Sequence, residues 1–302
     1  MTRLPAVAGT FYPADPRELA RQIDEFSGVA GAAAAPKIAA RACVVPHAGY
    51  MYSGHVAGAV YASIEIPARC ILLGPRHYPR GEAMAILTEG SFATPLGEAP
   101  IDSALARELA YECPRLREDS VAHEREHSLE VQIPFLQRLA ADFRFVPVVL
   151  ASDRYPVIEE LGHTVARVVA AQREPVLVIA SSDMNHYESD AITRAKDERA
   201  TARILALDPR GLYDTVRGEQ ISMCGYAATV AMLVAMRELG GMPSGGPRSQ
   251  SPPSPDTAGY GSAALTPLRE RRLEARLVRY ATSGDINGDR ERVVGYAGIV
   301  IP

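Results

Sequence analysis

The chain has 302 residues, 47% of them apolar and 23% charged, a balance that suits a folded globular protein and argues against extended disorder. Net charge is −4, so the basic surplus that would hold a nucleic-acid backbone is missing and no nucleic-acid partner is expected. No apolar run nears the roughly 20 residues needed to cross a bilayer, and no membrane partner is expected either.

The opening MTRLPAVAGTFYPADP has no basic segment leading into an apolar stretch, which predicts a cytoplasmic protein. Pro16 to Phe26 has helical spacing behind Asp15 as N-cap. Runs rich in Val, Ile and Leu then read as buried strands at Ala42 to Val45, Cys70 to Leu73, Phe145 to Leu150 and Val176 to Ala180, with a fainter one at Met84 to Thr88. Helical patterns fill the intervals at Asp102 to Glu112, Leu129 to Ala140, Ile158 to Ala171, Ala191 to Ala206 and Tyr226 to Leu239. Arg276 to Ala281 and Val293 to Ile301 read as late strands that complete the sheet. This alternation predicts an α/β fold, a layered sheet with a largely parallel centre and helices on both faces. Gly240 to Thr266 is dense in Gly, Pro and Ser and reads as a flexible insertion. Too few residues follow it to build a second core, so one domain over 1–302 is expected. No repeat at solenoid or propeller spacing occurs.

Cys43, Cys70, Cys113 and Cys224 lie far apart with no CxxC pair, which predicts free thiols. Cys43 and Cys70 sit in apolar runs and read as core. Three of the seven histidines share one kind of position: His47 follows ACVVP, His77 follows CILLGPR, and His186 follows VLVIASSDMN. A lone histidine is more often a surface or hydrogen-bonded core residue. Loops beyond the carboxyl ends of neighbouring strands, however, can aim three imidazoles into one crevice. In PHAGYMYSG, Gly49 and Gly54 permit tight backbone and Tyr50 and Tyr52 can wall a ligand, while Arg76 can meet an anion. Asp183 can support His186 or cap the following helix, two equally weighted roles. Cys224 precedes a strongly apolar helix, where the backbone dipole favours a thiolate, although a buried structural thiol is the plainer alternative. Neutral imidazole and thiolate together suit Fe, Zn or Cu(I).

His123-Glu124-Arg125-Glu126-His127 matches HExxH, the zinc-protease signature. Its surroundings are polar and the apolar helical face starts only at Leu129, so it reads as a loop entering a helix, with His127 able to reach the pocket rim.

Taken in order, RLPAVAGTFYP, PHAGYMYSG, LLGPRH, EHSLEVQIPFLQ, SSDMNHY and MCGYAAT resemble the Memo family, which includes the AmmeMemoRadiSam system protein B group. The resemblance covers nearly the whole chain outside the insertion. It implies a fold like the catalytic subunit of protocatechuate-type extradiol dioxygenases, which hold non-haem Fe(II) on two histidines and a carboxylate. Carried over by motif, His47 and His77 match the metal-ligating histidines, Cys224 takes the carboxylate's place, and His186 matches the acid/base histidine, with Asp183 behind it. Exchanging carboxylate for thiolate changes softness and redox potential, so dioxygenase activity does not follow from the fold alone. The resemblance implies Fe(II), with copper or zinc as substitutes, and radical-SAM and AMMECR1-type proteins as partners. Its leading functional implication is a metal-dependent oxidoreductase acting on a small molecule. Two rivals stand beside it. One is a non-catalytic adaptor for anionic or phosphotyrosine peptides, using Tyr50, Tyr52 and Arg76; the other is a cysteine nucleophile enzyme, with Cys224 activated by His186.

Overall fold

The computed structural model describes residues 1–28, 36–241 and 273–302, so the expected insertion at 240–266 lies outside the described residues from 242 onward. Four strands form a parallel centre in the spatial order Ala42–Val45, Val176–Ser181, Arg69–Pro75 and Arg144–Leu150. All but the outermost of their residues are buried, which is why they read as unbroken apolar runs rather than alternating ones. Antiparallel neighbours complete the sheet: Met84–Ile86 beside Arg144–Leu150, and Val293–Ile301 beside Ala42–Val45. Val293–Ile301 also pairs with Arg276–Thr282 and, at Val294, with His186.

Helices pack in two groups. Tyr155–Ala171 lies along Tyr226–Leu239, with Ser103–Glu112 beside it, and Tyr226–Leu239 rests on the parallel strands. Pro16–Ser27, Tyr50–Ser63 and Ile133–Leu139 form the other group, joined to the sheet through Tyr50–Ser63. The α/β architecture expected from the alternation is therefore present, and Asp15 caps its helix through Arg17 N and Glu18 N. Cys43 and Cys70 are fully buried, as their apolar flanks imply.

Three local readings change. The chain PHAGYMYSG does not stay a loop, because Tyr50 opens a helix running to Ser63. Gly54 and Gly58 serve close packing there: a Cβ at either would strike Phe26 of the neighbouring helix. The helix expected at Leu129 to Ala140 is a 3-10 turn, Glu130–Gln132, followed by Ile133–Leu139. Pro134, lacking an N–H, sits at the start of that helix, where none is needed. Pro209–Gly218, capped by Asp208 through Gly211 N, is a helix the apolar pattern did not reveal.

The HExxH match does not form a zinc-protease helix, since Val121–Glu124 is a single turn that ends at Arg125. His123 turns into the core, 1% exposed, and its Nε2 has no hydrogen-bond partner among the described residues. Burial, with the charge of Arg3 nearby, pushes its imidazole down to about 4 from the ordinary 6.5. The unfolded chain then takes up the proton first as pH falls, so this histidine's contribution is complete above 6.5 and is lost between 6.5 and 4. At about 1.4 kcal/mol per pH unit the loss reaches roughly 3 kcal/mol. In urea titrations at pH 7 and pH 4.5, His123→Gln is expected to lose about 2 kcal/mol less on acidification than the parent chain; an equal loss in both would refute this assignment.

Candidate metal centre

The strand ends place the donors. Val45, Pro75 and Ser181 close three adjacent parallel strands, and His47, His77 and Asp183 follow each within two residues. His186 lies a little farther along, and Cys224 arrives from the opposite direction, two residues ahead of the helix Tyr226–Leu239. That approach is tight. Gly225 N donates to Ser182 Oγ at 3.0 Å, and a Cβ on Gly225 would collide with the Ser181 carbonyl and the Ser182 side chain.

One donor atom from each of His47, His77 and Cys224 lies within 4.8 Å of the other two. Cys224 Sγ is 3.3 Å from His47 Nε2, and the His47 and His77 ring centroids are 5.2 Å apart. Ions bonded at roughly 2.0–2.3 Å to nitrogen and sulfur put such donors about 3–4 Å apart, so the set fits a cation.

Hydrogen bonding decides which ring nitrogens are available. Ser181 Oγ donates its one proton to Ser128 O at 2.7 Å and accepts from Gln132 Nε2 at 2.8 Å. His47 Nδ1, 2.9 Å from that hydroxyl, must therefore donate, which leaves Nε2 bare toward Cys224. His77 Nδ1 faces Glu126 Oε1 at 2.8 Å and donates to it, leaving its own Nε2 bare. His186 Nδ1 lies 2.8 Å from Ser222 O, an acceptor only, so in the neutral ring its Nε2 is bare as well.

Charge follows the same plan. Burial raises the Glu126 carboxyl, but the hydrogen bonds from the His77 ring and backbone, together with Ser128 N, outweigh it and hold the group below its ordinary value. Burial, then the neighbouring His77 and His127, keep His47 well below its ordinary value and neutral, the state that binds metal. The Cys224 thiol is pushed up, first by burial and then by the Asp183 carboxylate. Desolvation here outweighs the helix dipole, so the thiolate expected from sequence requires a cation to displace its proton.

The remaining site residues separate. Asp183 Oδ1 accepts from His47 N at 2.8 Å and Ala48 N at 3.3 Å, so it braces the His47 loop; the helix after His186 has Ser189 as its N-cap. His127 does enter the pocket, stacked on His77 with centroids 4.5 Å apart and flanked by the edge of Phe11 at 4.8 Å. Tyr52 is half-buried against Val56, Ala281 and Tyr296. Tyr50 does not line the pocket: it is 1% exposed and its hydroxyl donates to Val131 O at 2.8 Å. Arg76 is likewise committed, its guanidinium bonded to the carbonyls of Arg80, Gly81 and Glu82.

Sequence reasoning missed the supporting shell of Glu126, Ser128, Gln132, Ser181 and Ser222. Glu126 lay inside the dismissed HExxH match, and its adjacency to His127 was the available signal. It also missed Tyr187, exposed beside His186 with φ +62°, a left-handed conformation costly for a bulky side chain.

A family model described as Memo-like protein matches residues 3–300. The chain is 38% identical over 310 residues to a MEMO1 family protein of Methanopyrus kandleri, covering 99% of both chains. It is 36% identical to a MEMO1 family protein of Methanothermobacter thermautotrophicus, covering 98% of this chain and 99% of the relative. A MEMO1 family protein of Pyrobaculum arsenaticum is also 36% identical, with 99% of this chain and 98% of the relative covered.

Proposed function

The chain belongs to the Memo family, and from that premise we propose that it is a metal-binding oxidoreductase, with His47, His77 and Cys224 holding iron(II) and His186 moving protons beside it. The observation that carries this reading is the convergence of two bare Nε2 atoms and one sulfur, each ring held from behind by a partner that fixes its tautomer. Bound there, iron would supply Lewis-acid and redox chemistry through positions that three protein ligands leave open.

The chain's own residues do the rest. Asp183 N donates to Cys224 Sγ at 3.3 Å, which favours negative charge on the sulfur. Ser222 binds both the backbone N–H and Nδ1 of His186, so the ring keeps one orientation and presents Nε2 as a proton acceptor. The rings of Phe11 and His127 pack along one side of His47 and His77.

The peptide-adaptor reading is weaker, because Tyr50 and Arg76 are bonded elsewhere. The cysteine-nucleophile reading is weaker too, because burial raises the thiol it needs ionised. The test is anaerobic purification followed by metal analysis of the parent chain, His47→Ala and Cys224→Ala. About one iron per parent chain and almost none in either variant is the expected result. Iron retained by both variants, or absent from the parent chain, would overturn the reading.

A further inference from the structure

We propose that the pocket seats a second cation, held by Asp183, His186 and the Cys224 sulfur, so that Cys224 bridges two borderline divalent ions of the zinc class. The proposal rests on the metal-binding reading above for the first seat.

Three donor clusters surround the pocket, and they are not equivalent. In the cluster of His77, Glu126 and His127, the carboxylate is already taken: Glu126 accepts from His77 Nδ1, His77 N and Ser128 N. A cation there would have to break the bonds that orient His77, so this cluster is a brace. The cluster of Asp183, His186 and Cys224 is different, with one donor atom of each again within 4.8 Å of the others.

Its donors are uncommitted. Asp183 Oδ1 holds the His47 loop, while no hydrogen bond of the described residues reaches Oδ2. The His186 ring is fixed through Nδ1, which leaves Nε2 without a partner among the described residues. Cys224 sulfur can bridge, because a thiolate carries more than one lone pair.

A second, independent observation is electrostatic. Asp183 is 5% exposed, yet no Lys or Arg among the described residues forms an ion pair with it. Of the four other deeply buried acids among the described residues, Glu130 and Asp102 each face an arginine, Glu126 faces His77, and Asp197 accepts at both oxygens, from Asn185 N and the Tyr280 hydroxyl, whereas Asp183 has one oxygen with no such partner. A buried carboxylate without a counter-charge costs several kcal/mol, and a bound cation offsets that cost. Carboxylate, imidazole and thiolate together match the ligands that zinc accepts. Filling the seat also changes the chemistry: His186 Nε2 becomes a ligand and stops carrying protons, so the doubly loaded pocket is a storage or resting state.

The test uses the full chain, stripped of metal and titrated with Zn2+ alone, with bound zinc measured after desalting. The parent chain is expected to hold two zinc ions. His186→Gln and Asp183→Asn should each hold one, and Asp183→Asn keeps an acceptor for His47 N, so its fold is protected. His47→Ala should also hold one, now in the second seat. Substitution with Co2+ gives a second readout, since ions sharing one sulfur couple magnetically: the fully loaded parent should show a weaker spin-resonance signal per cobalt than His186→Gln. One zinc in the parent, unchanged in His186→Gln and lost in His47→Ala, overturns the second seat and leaves the first intact. One zinc in the parent, lost in His186→Gln but kept in His47→Ala, puts the ion at Asp183, His186 and Cys224 and overturns the first seat and the bridge. Two zinc ions in the parent, with no coupling between the ions of the Co2+ form, overturn the bridge.

Discussion

Replacing Glu130 with alanine is expected to cost roughly 3–5 kcal/mol of folding stability, a large part of what a typical domain has. Glu130 is fully buried and accepts from Arg3, Ala6 N at 2.8 Å, Val7 N at 3.1 Å and the Tyr12 hydroxyl at 2.5 Å. Alanine would leave the Arg3 guanidinium, itself nearly buried, without its carboxylate, and three further donors unpaired. Thermal denaturation should show a midpoint lowered by on the order of 10 °C. A loss under 1 kcal/mol would mean that the segment is held by something other than this carboxylate. The effect should extend to the pocket, because the same segment carries Phe11, whose ring meets His127 and whose carbonyl accepts from Tyr50 N at 2.7 Å.

The second large effect is expected at Glu126. Glu126→Ala removes the group that accepts from His77 at both the ring and the backbone, so the ring is free to rotate and its Nε2 no longer has a fixed direction. Loss of such a carboxylate behind a ligating histidine typically lowers metal affinity 10–100-fold. Competition titration with a chromophoric chelator measures this directly, and Glu126→Gln, which keeps an acceptor oxygen, should recover part of the loss. Unchanged affinity in Glu126→Ala would show that His77 is oriented by its stacking on His127 alone, or is not a ligand.

The sheet was legible because burial on both faces writes itself as unbroken apolar runs, at Ala42–Val45 and Val176–Ser181 most plainly. The convergence of His47 and His77 was legible too, since a residue just past a parallel strand must lie at one end of the sheet. What could not be read was direction. Tyr50 in a Gly-rich stretch looks the same whether it faces a ligand or Phe135, and only the helix beginning at that residue turns it inward. Glu126 and Glu130 had no apolar pattern to mark them as buried; partners 49 and 127 residues away make their burial tolerable. The small sheet of Thr2–Arg3, Ser91–Thr94 and Gly97–Pro100 was hidden for a similar reason, as its strands are too short to show a period.

The strand Val293–Ile301 reaches across from Ala42–Val45 to the loop of His186, where Met184 N and Asn185 O bond to Gly295. During synthesis, His47 and His77 therefore leave the ribosome long before the strand that steadies their neighbour exists. A nascent chain would offer exposed imidazoles and a thiol to any passing ion but no finished cage, so a cation would be held selectively only once Ile301 has been made.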